Sequence, residues 1–423
     1  MVSLYLPSFA PIALLFHLQK YAAWAATPIA LPCPNYTFPD VICMTRYGSL
    51  MPQGFNRTIL YTIGFNDYYP QTYVPDDPSF SSVANASFLV WDSDRGTEVL
   101  GPSPSVDFMF TLPLIGHEAP VYEPNLNLFF FSALDPATPS QYVIDLNQNP
   151  PILSNRTANP PIILPTGATY HAGLIYTSGS TTTNNIFTPS INSLNATTGA
   201  TTTLFNNYYG YKFTTIDDLA IAPNGDIWFT DDWYATALSK SPTLPQLEPA
   251  VYRYVPSTGL IQILTDTFIS PNGIAFSPSG NTVYITDTPT DSLTLHPPSP
   301  PNNLSAPASS YTPTFNYVPW HRKTVYALDV INNGTALANQ RALLLAQDRI
   351  PDGIKVARNG YIVTATGHGV DVLDETGVPL VRVQTNFSVV NIAWAGEGLR
   401  DLWMVGIGGV ARVRWNLPGN ELR

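Results

Sequence analysis

Four oxygen-bearing side chains stand at like positions along the chain: Glu118, Asp217, Asn272 and Asp352. Each occupies a corner at the start of a short apolar run. The clearest phrase, "FISPNGIAFSPSGNTVYITDT", begins at Phe268: a Pro-Asn-Gly corner, an apolar run, a Pro-Ser-Gly-Asn turn and a second apolar run. "TIDDLAIAPNGDIWFTDD" from Thr215 and "RIPDGIKVARNGYIVTAT" from Arg349 repeat it. Asn-Gly and Asp-Gly are ordinary turn formers, and one copy alone would mean no more than a turn. Several such donors brought together mean more. Carboxylates crowded into one site repel each other and resist ionisation unless a cation lies between them. An all-oxygen set suits Ca2+ or Mg2+ better than Zn2+, which prefers nitrogen and sulfur. Ca2+ tolerates a wide, irregular cage and is the first choice, with Mg2+, Mn2+ or Zn2+ as the other divalent candidates.

The elements that must position these residues follow from the repeat. Further copies read "HEAPVYEPNLNLFFFSA" from His117, "TGATYHAGLIYTSG" from Thr166 and "VNIAWAGEGLRDLWMVG" from Val390. The corners then fall at Glu118, about Ala168, Asp217, Asn272, Asp352 and Asn391. Their spacing is about fifty residues or less, except after Asn272, where the proline-rich "TPTDSLTLHPPSPPNNLSAPASSYTP" intervenes. That segment reads as a surface loop. A repeat of this size built from short strands is the signature of a propeller blade. Six copies predict an all-β, six-bladed β-propeller over residues 83–423. "SFLVWDSDRGTEVLG" and "VDFMF", ahead of the first corner, would supply outer strands that close the ring. A pair of β-sandwiches is the alternative fold, and the regular period disfavours it. In a propeller the innermost strands line a central channel, so the corners converge on one of its mouths.

Composition agrees. Charged residues make up only 12% and aromatics another 12%, and 41 prolines are present, a mix that suits β structure with many turns. No stretch sustains a helical period. The net charge of −11 argues against a nucleic-acid partner, which would need a basic face. Residues 1–25 read as a signal peptide ending near Ala23-Trp24-Ala25, which predicts a secreted chain. The apolar run there is too short for a membrane span. Residues 26–82 carry no repeat and read as an irregular N-terminal arm. Cys33 and Cys43 are the only cysteines; in a secreted chain they would pair and pin that arm. Eight Asn-x-Ser/Thr sequons mark candidate glycosylation sites: Asn35, Asn56, Asn85, Asn155, Asn195, Asn303, Asn333 and Asn386.

Other chemistries lack anchors. The chain has no Gly-x-Ser-x-Gly elbow and no His-Glu-x-x-His pair. His117, His171 and His368 read first as packed or exposed structural histidines. His117 and His171 lie close enough to inner strands to line the channel, and His171 is kept with Asp217 as a candidate substrate contact.

These residues resemble a known family. "HEAPVY", "SPNGIAFSPSGNTVYITDT" and "IPDGIKVARNGYIVTATGHGVDVLDETG" look like the senescence-marker/gluconolactonase family of six-bladed propellers. "FLVWDSDRGTEVLGPSPSVDF" and "TTTLFNNYYGYKF" look like its fungal secreted lactonohydrolase branch. The resemblance runs from about Ser87 to Trp415. It implies one divalent cation, usually Ca2+, at the channel mouth, and opening of a small-molecule lactone or, in some relatives, phosphotriester cleavage. It makes Glu118 and Asn272 metal ligands and Asp352 both ligand and catalytic base. At the remaining corner the family usually carries Asn, and here "TIDD" places Asp217. That departure adds a negative charge beside the cation and bears on substrate identity. A non-catalytic propeller that binds a ligand or partner at its channel mouth is the rival reading.

Overall fold

The computed structural model describes residues 28–45, 49–51, 69, 72–74, 77–135, 137, 141–183, 186–237, 245–288, 291–296, 312–317 and 320–421. The residues read as a signal peptide lie outside these. Val, Ile, Phe and Tyr runs bounded by Gly, Pro and Asn fold as short antiparallel strands, each run leading through a tight turn into the next. Five sheets are four-stranded blades. They start, from the axis outward, at His117–Glu123, Ala168–His171, Thr215–Ile221, Pro271–Phe276 and Ser388–Ala395. Burial falls off along this direction. Ser388–Ala395 is buried at every residue, whereas the outer strand Ile152–Arg156 is mostly exposed. A strand enclosed on both faces must be apolar on both, and only outer strands alternate with solvent.

The expectation of six like blades is corrected by the sheets. Pro351–Val356, Ile362–Thr366, Gly369–Leu373 and Pro379–Gln384 belong to a seven-stranded sheet, not to a four-stranded one. Its outer part comes from ahead of the repeats: Phe88–Val90, Val41–Met44 and Ala30–Pro32. The arm read as irregular therefore adds strands at this edge, one pair of them parallel. Three- and four-residue strands carry too little periodicity to be read from sequence. The closing role expected for "VDFMF" is met, since Ser105–Thr111 pairs with Gly409–Arg414 as the outer strand of the last blade. The intervening "SDRGTEVL" is an α-helix, not a strand. Asp92 caps it by accepting from Arg95 N at 2.9 Å, and Gly101 ends it at φ 69°.

The proline-rich insertion departs from a plain loop. Asp291–His296 and Thr312–Tyr317 pair as a hairpin that packs near the short helix Tyr234–Ala237. The apolar core is divided among the faces of neighbouring sheets. Val121, Phe130 and Val143 of one blade meet Ala168, Ile175 and Leu194 of the next. Trp228, Ile274, Val283 and Ile285 fill a later gap in the same way. Cys33 and Cys43 are disulfide-bonded. Asn35, Asn85, Asn155, Asn333 and Asn386 are exposed, Asn195 is half-buried, and Asn56 and Asn303 lie outside the described residues.

Candidate active site

The four oxygen-bearing corners fall at breaks in strand register, whereas the corner at Ala168 pairs without one. The pairing of the first and second strands slips between Glu118 and Val121, between Ile216 and Leu219, between Pro271 and Ile274, and between Pro351 and Ile354. Extra residues at such a bulge turn side chains away from the regular alternation. Asp217, Asn272 and Asp352 each sit inside one. The Gly after each of the last two is required by close packing. A Cβ on Gly273 would lie 2.6 Å from the Asp352 carbonyl, and one on Gly353 would lie 2.2 Å from Asn391 Oδ1. Each corner thus nests against the next around the ring.

The result is one cavity of about 430 Å³ whose lining includes Glu118, Asp217, Asn272 and Asp352. All four are nearly sealed from solvent, at 5%, 6%, 5% and 8% exposure. Burial raises the Glu118 carboxyl well above the usual range, and the charge of Asp352 raises it further. Asn391 opposes this by donating from Nδ2 to Glu118 Oε2 at 2.9 Å. Asp217 is also held well above its usual value, by burial first and then by Asp232, Glu118 and Asp352. It hydrogen-bonds to Asp232, a buried carboxylate raised by burial to about 7. Asp232 also accepts from Tyr234 N at 2.9 Å. Asp218, beside Asp217, turns to Lys355, whose Nζ lies 3.3 Å from its Oδ2.

The donor chemistry fits a hard divalent cation: two carboxylates and an amide, all through oxygen, buried, with each carboxylate raising the cost of ionising the other. Among the described residues no three His, Cys, Asp or Glu side chains stand together as a ready metal cluster. Asn272 is thus needed to complete a set, and Asp217 is engaged by Asp232.

His171 is separated from this group. The inner strands run from the large cavity to a smaller one of about 200 Å³ at their other ends, lined by Leu219, Ile274, Lys355 and His171. His171 sits there, in ring contact with Tyr176. His117 is packed between Phe131 and Tyr142, with Nδ1 2.9 Å from the Gly406 carbonyl. Sequence reasoning passed over Asp232, Lys355 and Arg349, which also lines the large cavity. The doubled Asp in "WFTDD" was the available signal for Asp232: Asp231 aligns with Asp287 of "YITDT", and Asp232 is the extra carboxylate, where that copy has Thr288.

The family model for the SMP-30/gluconolactonase/LRE-like region matches residues 166–407. The chain is 44% identical over 398 residues to the lactonohydrolase oryL of Aspergillus oryzae, covering 93% of this chain and 89% of that one. The chain belongs to the SMP-30/gluconolactonase/LRE-like family. Solved structures share the fold. A gluconolactonase from Xanthomonas campestris superposes with a TM-score of 0.59 at 21% identity, over 77% of this chain and 93% of that one. The calcium-binding protein regucalcin of Agrobacterium tumefaciens does so with a TM-score of 0.53 at 13% identity, over 75% and 97%.

Proposed function

We propose that this chain is a divalent-cation-dependent lactonohydrolase that opens a small-molecule lactone in the corner cavity. The observation that carries the reading is the convergence of Glu118, Asn272 and Asp352, with Asp217 beside them, on one enclosed space. Glu118, Asn272 and Asp352 would hold the cation, Ca2+ first. When bound, the cation supplies Lewis acidity toward the lactone carbonyl and acidifies water. Asp352 takes the proton of the attacking water, as a buried carboxylate with few solvent contacts can. Asn391 keeps the Glu118 carboxylate oriented. The apolar walls exclude bulk water, which strengthens each charge interaction inside. The relative's name, lactonohydrolase, supports the reaction class, and the calcium-binding name of the Agrobacterium protein agrees with the metal.

We infer two further features of the chain. The four inner strands of the seven-stranded sheet act as a sixth blade, because Pro351–Val356 packs between Pro271–Phe276 and Ser388–Ala395 as the other inner strands pack between their neighbours. The chain is secreted and glycosylated, a reading supported by the Cys33–Cys43 disulfide and the five exposed sequons.

The rival reading, a non-catalytic binding propeller, is favoured by Asp217, which stands at the corner where the resemblance expects Asn. One experiment separates the two. Lactone hydrolysis is followed by acid release with and without chelator, and Ca2+ binding is measured by calorimetry on the parent and on Asp352→Asn. The proposal requires activity that chelator abolishes and Ca2+ restores, and loss of both binding and turnover in the variant. Ligand binding without any turnover would leave the rival.

A further inference from the structure

Beyond the four site residues, the large cavity is walled by Leu134, Leu164, Ile216, Ile350, Val390 and Ile407. Three of the six other polar side chains on its lining are bonded to the protein through their hydroxyls. Thr166 Oγ1 donates to the Ile216 carbonyl at 2.7 Å, and Thr215 Oγ1 accepts from Ala235 N at 2.7 Å. The Tyr234 hydroxyl pairs with Thr288 Oγ1 at 2.7 Å, leaving its ring as the lining surface. Thr214, Ser180 and Arg349 are the other polar side chains there. The apolar surface continues outward. Leu114, next to Ile115 of the lining, is 85% exposed, and its Cδ2 lies over Gly408, next to Ile407.

We infer that the substrate is a lactone bearing an aliphatic chain, not a polyhydroxylated aldonolactone. The inference rests on the lactonohydrolase reading and names its substrate class. A sugar lactone would bring several hydroxyls against walls that offer them few partners, and each hydroxyl left unpaired loses its bonds to water without replacement. An alkyl chain gains on the same walls, by about fourfold in affinity per buried methylene. A cavity of about 430 Å³ has the size of small-molecule sites and takes a lactone ring with a chain. The ring carbonyl faces the oxygen donors, and the chain lies along Ile350, Val390 and Ile407 toward Leu114.

The test uses the purified full chain with Ca2+ and a series that shares one ring: δ-valerolactone, δ-lactones of increasing alkyl length up to δ-decalactone, and glucono-δ-lactone. kcat/KM should rise by about threefold or more per methylene until the chain clears the cavity. δ-Decalactone should exceed glucono-δ-lactone by at least about tenfold. A flat series, or faster opening of the sugar lactone, overturns the inference while leaving the lactonohydrolase reading intact. Ile407→Asn should lower kcat/KM for δ-decalactone by a larger factor than for δ-valerolactone. Leu134→Asn gives a second variant should Ile407→Asn fold poorly, and an equal loss on both substrates in the folded variant counts against the inference. An alkylated cyclohexanone, which has no ring oxygen to expel, is compared with cyclohexanone by calorimetry. Tighter binding of the alkylated ketone with no hydrolysis of any lactone would keep the apolar preference and sink the reaction. Equal binding would remove the preference.

Discussion

The Thr286 hydroxyl donates to the main-chain carbonyl of Asp352 at 2.9 Å, across the boundary between one sheet and the next. The same bond recurs around the ring. Thr230 Oγ1 reaches the Asn272 carbonyl at 2.6 Å, and Ser178 Oγ reaches the Asp217 carbonyl at 2.9 Å. In each case a hydroxyl on a second strand holds the corner of the following sheet. A bulge leaves carbonyls out of the regular ladder, and a buried carbonyl needs a donor. The latch meets that need and fixes the corner's pitch. Thr286→Val keeps the shape and removes the donor, which should cost about 1–3 kcal/mol in denaturant unfolding. A shift of the Asp352 backbone should lower kcat by roughly ten- to hundredfold, with a smaller change in KM. Thr364→Val is the control, because its hydroxyl bond to the Gly353 carbonyl is 3.4 Å long and weaker. Unchanged kcat in Thr286→Val would remove the latch from the catalytic argument.

Asp217 and Asp232 make the second prediction. Burial and the neighbouring charges hold Asp217 well above its usual value, and the hydrogen bond between the two lowers Asp232. A protonated Asp217 presents a donor to Asp232, as an amide would. Asp217→Asn should therefore stay within roughly threefold of the parent in kcat/KM, since the hydrogen bond is kept. Asp232→Ala removes the acceptor for both Asp217 and Tyr234 N. Tyr234 and Ala235 line the cavity, so KM should rise and stability should fall by about 1–3 kcal/mol. The reverse ranking of the two variants in activity would show that Asp217 works as a free carboxylate.

The corners were legible because Pro-Asn-Gly and Pro-Asp-Gly recur in register with apolar runs. Their convergence on one cavity was legible because Glu118, Asn272 and Asp352 share that register. Lys355 and Asn391 act through partners far away in sequence, and pattern alone does not pair Lys355 with Asp218 or Asn391 with Glu118. The distance of His171 from the corners was not legible: it ends an inner strand, and those ends open on the opposite cavity. The helix Ser93–Leu100 was within reach, since Asp92 and Gly101 are ordinary cap signals, but its eight residues are too few for a clear period. The strands Ala30–Pro32 and Val41–Met44 were out of reach, because they are set by pairing with each other and, for Val41–Met44, with Phe88–Val90.

His368 makes stability depend on pH. Burial, and then the charges of Arg382 and Arg349, lower its pKa from 6.5 to about 4. The unfolded chain therefore binds a proton that the folded chain refuses between these values. The histidine's contribution is intact above about pH 6.5 and is lost progressively as pH falls toward about 4. His368→Asn removes this liability. The melting temperature of the variant minus that of the parent should become more positive as pH is lowered through that window. A difference that stays constant with pH would mean that His368 is free to protonate in the folded protein.

Arg382 is fully buried in the seven-stranded sheet, paired with Asp348 and with Asp371 Oδ2 at 3.0 Å. Asp348 also accepts from Tyr69 N at 2.7 Å, so one carboxylate joins the N-terminal arm to the blade. Arg349 and Ile350, which follow it, line the large cavity, and Asp352 comes two residues later. Removing the guanidinium would leave two buried carboxylates without their counter-charge. Arg382→Leu should cost about 3–5 kcal/mol, the usual penalty for breaking a buried pair from one side. Arg382→Lys keeps the charge but not the planar fork, and should recover only part of it. If the network also sets the loop before Asp352, then Arg382→Lys, assayed where it is still folded, should show a lower kcat as well as a lower melting temperature. A destabilised Arg382→Lys with parental kcat would confine the network to holding the arm on the sheet.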